Sequence, residues 1–103
     1  LRVSPERAAE QIASDTALKV IDIRAAGERA AKSIDKSTHV PLQRLVDETR
    51  GMPRDTPLLV HCAGGYRSSI AASLLQREGF TNVTELAGGL AAWEASGNPL
   101  VKP

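Results

Sequence analysis

The sequence predicts an α/β domain: a three-layer sandwich with a mainly parallel central sheet and helices on both faces. Three observations predict it. Short runs rich in Val, Ile and Leu recur along the chain, at 17–23 (ALKVIDI), 57–62 (PLLVHC) and 82–86 (NVTEL). Their apolar residues stand side by side rather than alternating, as in strands buried on both faces. Between them lie stretches with apolar residues at helical spacing, joined by short links carrying Gly and Pro, and that alternation points to parallel strands with crossover helices.

The length of 103 residues sets one domain, 1–103, with a single core. Only Tyr66, Phe80 and Trp93 are aromatic, so Leu, Ile, Val and Ala must build that core. A net charge of +1 gives no global field to mark a nucleic acid or an anionic membrane as partner. The single cysteine forms no internal disulfide and fits a reducing, cytoplasmic compartment. One Cys with His39 and His61 does not make a zinc site, and no metal or cofactor is expected. No apolar run approaches the roughly 20 residues needed to span a bilayer. The chain starts at Leu1 rather than Met, which fits a piece of something longer.

Leu1-Arg2-Val3 reads as a short strand. A helix follows, with Ser4 as N-cap, Pro5 at the first helical position and Glu6 in the first turn. Ala8, Ala9 and Ile12 share its packing face. The run 17–23 is a strand ending in Asp22-Ile23-Arg24, where a buried Asp22 needs a partner and Arg24 is the nearest. A short helix is expected over 25–33, although Gly27 weakens it. Thr38-His39-Val40 is a short strand closed by Pro41, and 43–49 a helix on Leu42, Leu45 and Val46. The strand 57–62 is the clearest in the chain. A helix from about Arg67 packs through Ile70, Ala71, Leu74 and Leu75 and stops at Gly79. Strand 82–86, then Gly88-Gly89 and a last helix carrying Leu90 and Trp93, complete the chain.

The chemistry concentrates at 62–69. Cys62 ends a strand, and Ala63-Gly64-Gly65-Tyr66 turns the chain into the helix. The thiolate is the reactive form of cysteine, and a helix N-terminus and a nearby Arg lower its pKa. Gly64 and Gly65 let successive N–H groups point inward, an anion cradle, and Ser68 and Ser69 add hydroxyls. A nucleophilic Cys62 follows, with Ala63, Gly64, Gly65, Tyr66, Arg67 and Ser68 as substrate-binding residues. His61 as its base is unfavoured, because neighbours on a strand point to opposite faces; packing or a hydrogen bond within the sheet suits it better. In such sheets ligands bind at the carboxyl ends of strands, where both Cys62 and Asp22 fall.

The pattern resembles the rhodanese-homology family. Cys62 to Ser68 is similar to its C-x-x-G-x-R-S loop, Asp22-Ile23-Arg24 to its Asp-(Val/Ile)-Arg strand end, His39-Val40-Pro41-Leu42 to its next strand, and Leu86 to Trp93 to its late Gly-Gly-x-x-x-Trp segment. The resemblance implies sulfurtransfer: Cys62 takes the outer sulfur of thiosulfate or a persulfide and passes it to cyanide, glutathione or a protein thiol. It also implies that the covalent Cys62 persulfide is the only intermediate carrier. Arg67 would hold the loop and favour an anionic substrate, while Asp22 and Arg24 brace the loop. The family's aromatic residue and Gly-His pair are absent from Glu28 to Ile34. A cysteine phosphatase or arsenate reductase is the enzyme rival, but its motif places five residues between Cys and Arg, and four stand here. A docking domain, or a sulfur relay within a larger protein, is the other alternative. The loop is similar to that of rhodanese modules fused to persulfide dioxygenases, and rhodanese domains attached to CoA-disulfide reductases are another precedent, so a fused or partner sulfur-metabolism domain is an expected partner.

Overall fold

The structure, a computed structural model, describes residues 1–102. Five strands form one wholly parallel sheet: β1 (Arg2–Val3), β2 (Lys19–Asp22), β3 (Thr38–His39), β4 (Leu58–His61) and β5 (Val83–Leu86), in the order β1-β5-β4-β2-β3. The helices are α1 (Pro5–Ser14), α2 (Ala26–Ala31), α3 (Leu45–Glu48), α4 (Tyr66–Arg77) and α5 (Gly89–Ala95). Among the described residues no helix is long and apolar enough to cross a membrane.

Strand periodicity divides the core. Ile21, Ile23, Leu58, Val60 and Cys62 face Leu45 of α3 and Ala71, Ala72 and Leu75 of α4. Val20 and Leu59 face the other way, onto Ala8 of α1 and Leu90 and Trp93 of α5. Successive strand residues therefore enter two apolar layers, which is why the runs show no polar alternation. Ser4 caps α1 as expected, its hydroxyl accepting the Arg7 N–H at 3.2 Å.

Two helical expectations need correction. The helix expected over 43–49 is a 3-10 turn (Leu42–Arg44) followed by α3, and Arg44, at φ −111° and ψ 4°, breaks the ladder between them. In α4, Ala71 and Leu75 are buried, but Ile70 is 42% exposed and Ala72 fills the core position in its place. The buried face follows the spacing 68, 71, 72, 75, one step round from the expected stripe, because the sheet lies on that side.

The topology locates the site. From the central neighbours β2 and β4, the chain leaves through α2 toward β3 and through α4 toward β5, in opposite directions. In such sheets ligands bind beyond the strand ends at a switch point. The segments that leave these strand ends are 23–25 after β2 and 62–65 after β4.

Candidate active site

Cys62 lies just past β4 with 1% of its surface exposed. Gly65, at φ 99°, reverses the chain into α4 and aims its N–H at the Cys62 sulfur, 3.0 Å away. A left-handed φ of this kind favours glycine. The cap of α4 is thus this N–H turn, with no side-chain cap, and the helix starts one residue earlier than Arg67. The Cys62 thiol donates to Ser68 Oγ at 3.7 Å, and Ser68 donates to the Gly65 carbonyl at 3.1 Å. When the thiol ionises, the Ser68 hydroxyl can turn and donate to the sulfur.

Burial pushes the Cys62 thiol up, but the Ser68 hydroxyl and the N–H groups of Ser68, Gly65 and Gly64 outweigh it, so the thiol sits below its ordinary value. The hydroxyl and backbone donors lead this lowering; Arg67, expected to share in it, still attracts the Cys62 thiolate electrostatically but makes its hydrogen bonds to Glu28. Ser69, expected as a further donor for the cradle, donates instead to Glu85 Oε1 at 2.7 Å, with the Gly65 carbonyl farther off at 3.4 Å. Tyr66 stands at the rim, 81% exposed.

Arg67 makes a two-pronged pair with Glu28, its Nη1 and Nη2 donating to the two carboxylate oxygens at 2.8 and 2.9 Å. Glu28 Oε1 also accepts the Ala25 N–H at 3.0 Å, which fixes the start of α2. The Arg67 hydrogen bonds pull the Glu28 carboxyl down to about 2. Sequence reasoning did not single out Glu28. The signal was available only as a carboxylate in the stretch that departs from the family pattern.

Asp22 is fully buried. Arg24 Nε and Nη2 donate to its two oxygens at 2.9 and 2.8 Å, and the Arg24 N–H adds a bond at 3.0 Å. Burial raises the Asp22 carboxyl, but these bonds outweigh it and hold it below its ordinary value. Arg24 continues to the Lys32 carbonyl at 2.7 Å, and Arg29 reaches Asp22 at 3.4 Å and Ser37 Oγ at 2.7 Å. The two predicted bracing residues therefore make these bonds to each other and to the segment carrying α2 rather than to the Cys62 loop. His39 Nε2–H donates to the Arg24 carbonyl at 2.7 Å.

His61 pairs in register with Asp22 and enters the layer opposite Cys62. It is fully buried, and neither ring nitrogen has a hydrogen-bond partner among the described residues. The Cys62 backbone lies close enough to favour its protonated form but makes no well-formed hydrogen bond to either ring nitrogen, so packing is the larger part of its role. Burial holds its imidazole below the ordinary value, although Asp22 pulls the other way.

The late Gly-Gly pair closes the floor of the loop. Leu90 and Ala91 N–H groups donate to the carbonyls of Cys62 and Ala63 at 2.8 and 3.0 Å. A side chain on Gly65 would press on the backbone of Gly88 at 3.3 Å.

The rhodanese-like domain family matches residues 4–96 of the chain, with this cradle inside the match. The protein belongs to the rhodanese-like domain family. The thiosulfate sulfurtransferase GlpE of Pseudomonas putida is 37% identical over 95 residues, which span 92% of this domain and 86% of that protein. A sulfurtransferase of Allochromatium vinosum is 28% identical over 101 residues, covering 98% and 94%. Among solved structures, a rhodanese-like domain from Anabaena superposes with a TM-score of 0.91 at 28% identity, covering 99% of this chain and 79% of that one. A rhodanese-related protein from Thermoplasma volcanium gives 0.88 at 29% identity, covering 99% and 98%. This rhodanese-like domain thus shares its fold and its family with sulfurtransferases.

Proposed function

We propose that this rhodanese-like domain is a sulfurtransferase that moves sulfane sulfur from thiosulfate or a persulfide to a thiophilic acceptor through a persulfide on Cys62. The observation that carries this reading is the Cys62 sulfur itself, held 3.0 Å from the Gly65 N–H at the start of α4 with its pKa lowered by loop donors. The thiolate attacks the outer sulfur of the donor. The Cys62 S–S bond forms as the donor's own bond to that sulfur breaks, and sulfite or a thiolate leaves with the bonding electrons. The terminal sulfur then occupies the cradle, where Ser68 and the loop N–H groups stabilise its negative charge. An acceptor such as cyanide, glutathione or a protein thiolate attacks that sulfur and restores the Cys62 thiolate. No cofactor is needed for either step. The surrounding compartment is a reducing one, such as the cytoplasm, where thiol acceptors are abundant.

Phosphoryl transfer fits less well. Only four residues separate Cys62 from Arg67, and the Arg67 guanidinium is taken up by Glu28. The test is intact mass after incubation with thiosulfate or glutathione persulfide, beside Cys62→Ser. A gain of one sulfur atom on the parent alone, removed by cyanide, is the expected result. A folded protein with a free thiol that gains nothing from either donor would end this reading.

A further inference from the structure

We infer that Glu28 sets the donor preference of this site, masking Arg67 so that persulfides are taken in preference to thiosulfate. The inference rests on the sulfurtransferase reading and narrows its substrate class.

Between Cys62 and Ser69 the only charged side chain is Arg67. A dianionic donor would have to be received by that guanidinium. Yet both of its Nη atoms donate to the two oxygens of Glu28 at 2.8 and 2.9 Å, so its charge is paired with a carboxylate and its two-pronged edge is taken up. The pair is half-exposed, but Glu28 is held in place by the Ala25 N–H as well. Its carboxyl, at about 2, remains ionised throughout the working pH range, so the mask is permanent rather than titratable. Other cations near the strand ends are occupied too. Arg24 and Arg29 bind Asp22, the Lys32 carbonyl and Ser37, and Arg2 lies 3.6 Å from Glu85.

The two donors differ in what they bring to the thiolate. Thiosulfate arrives with two negative charges: Cys62–S⁻ and S–SO₃²⁻ give Cys62–S–S⁻ and SO₃²⁻, and three negative charges must share the cradle in the transition state. A protonated persulfide brings none at its sulfur: Cys62–S⁻ and RS–SH give Cys62–S–SH and RS⁻, with one negative charge on the reacting sulfurs throughout, any carboxylates of R lying outside the cradle. Uncharged loop donors can hold a single negative charge, whereas a dianion calls for a free cation.

The experiment compares kcat/KM for thiosulfate and for glutathione persulfide, with cyanide as acceptor, in the parent, Glu28→Gln, Arg67→Gln and the double variant. Gln at position 28 can still accept the Ala25 N–H. The parent is expected to favour glutathione persulfide. In Glu28→Gln the thiosulfate value should rise relative to the persulfide value by on the order of tenfold, mainly through KM, with the gain eroded by salt. The gain should vanish in the double variant, because it requires a free Arg67. A parent that favours thiosulfate, an unchanged donor ratio in Glu28→Gln, or a gain that survives loss of Arg67 would overturn the inference while leaving sulfur transfer intact. Loading of Cys62 by neither donor would overturn both.

Discussion

Gly89 lies against the carbonyl oxygen of Cys62 with no room for a side chain between them. A methyl carbon there would come within 2.6 Å of that oxygen and 2.7 Å of the Ala63 carbonyl group. The start of α5 is pressed onto the loop backbone, and the Leu90 and Ala91 N–H groups bond the two carbonyls. The Cys62 loop thus rests on α5 as well as on its own strand. Gly89→Ala is expected to cost about 2–4 kcal/mol, from overpacking and from its left-handed φ of 62°. Urea unfolding measures the cost. The reaction of Cys62 with a thiol reagent under native conditions should also change, and a variant unaltered in both would show that the clamp does nothing.

Ser68 is the side chain that most favours the Cys62 thiolate. Replacing it with Ala removes a hydrogen bond to a charged group, about 1.5–3 kcal/mol, and should raise the thiol pKa. The alkaline rise of the alkylation rate would move to higher pH. Linkage gives a second readout. A lowered pKa stabilises the fold above the ordinary thiol value, and that increment is lost as pH falls through the lowered one. In Ser68→Ala this increment should shrink.

Removing one partner of the Asp22–Arg24 pair strands the other in the core. Arg24→Met should cost about 3–5 kcal/mol, toward the lower end because Arg29 stands 3.4 Å from the same carboxylate. The double variant with Asp22→Asn should cost less than the sum of the two single changes. Asp22 is also a source of acid sensitivity. Its lowered pKa contributes stability above the ordinary carboxylate value, lost as pH falls through the lowered one, so Asp22→Asn should flatten that limb of the stability curve.

His61 is buried, its imidazole held below the ordinary value, with neither ring nitrogen in a well-formed hydrogen bond among the described residues. His61→Leu should leave stability at neutral pH within about 1 kcal/mol of the parent, because no satisfied polar group is lost. The pH dependence should separate the two. With its folded pKa lowered, the imidazole takes up a proton on unfolding, so the parent loses stability as pH falls below the ordinary imidazole value. His61→Leu should lose less over the same range. Equal slopes in chemical unfolding would show that burial leaves the ring's proton affinity unchanged.

What could be read from the chain alone was local. The apolar runs at 17–23 and 57–62 marked buried strands because backbone period and burial are written in adjacent residues. The Cys62 loop was legible for the same reason: a strand end, glycines, an arginine and a serine lie within seven positions. Asp22 and Arg24, two residues apart, made a partner easy to name. The helix over 43–49 was misread because Leu42, Leu45 and Val46 suit a 3-10 turn joined to an α-turn as well as one helix. Ile70 was assigned inward because a stripe of periodic residues does not say which of its edges meets the sheet.

The sequence by itself determined the α/β class, the family and the placing of the one cysteine between a strand and a glycine turn, all of which rest on residues near one another in the chain. The tertiary structure decided which groups meet. Only it brought Glu28 to Arg67 across 39 positions, turned Ser69 to Glu85 across 16, and set Gly89 beneath Cys62. The physical reason is that a carboxylate, a hydroxyl or a glycine has many admissible partners in sequence, and the packing of helices on the sheet leaves room for one.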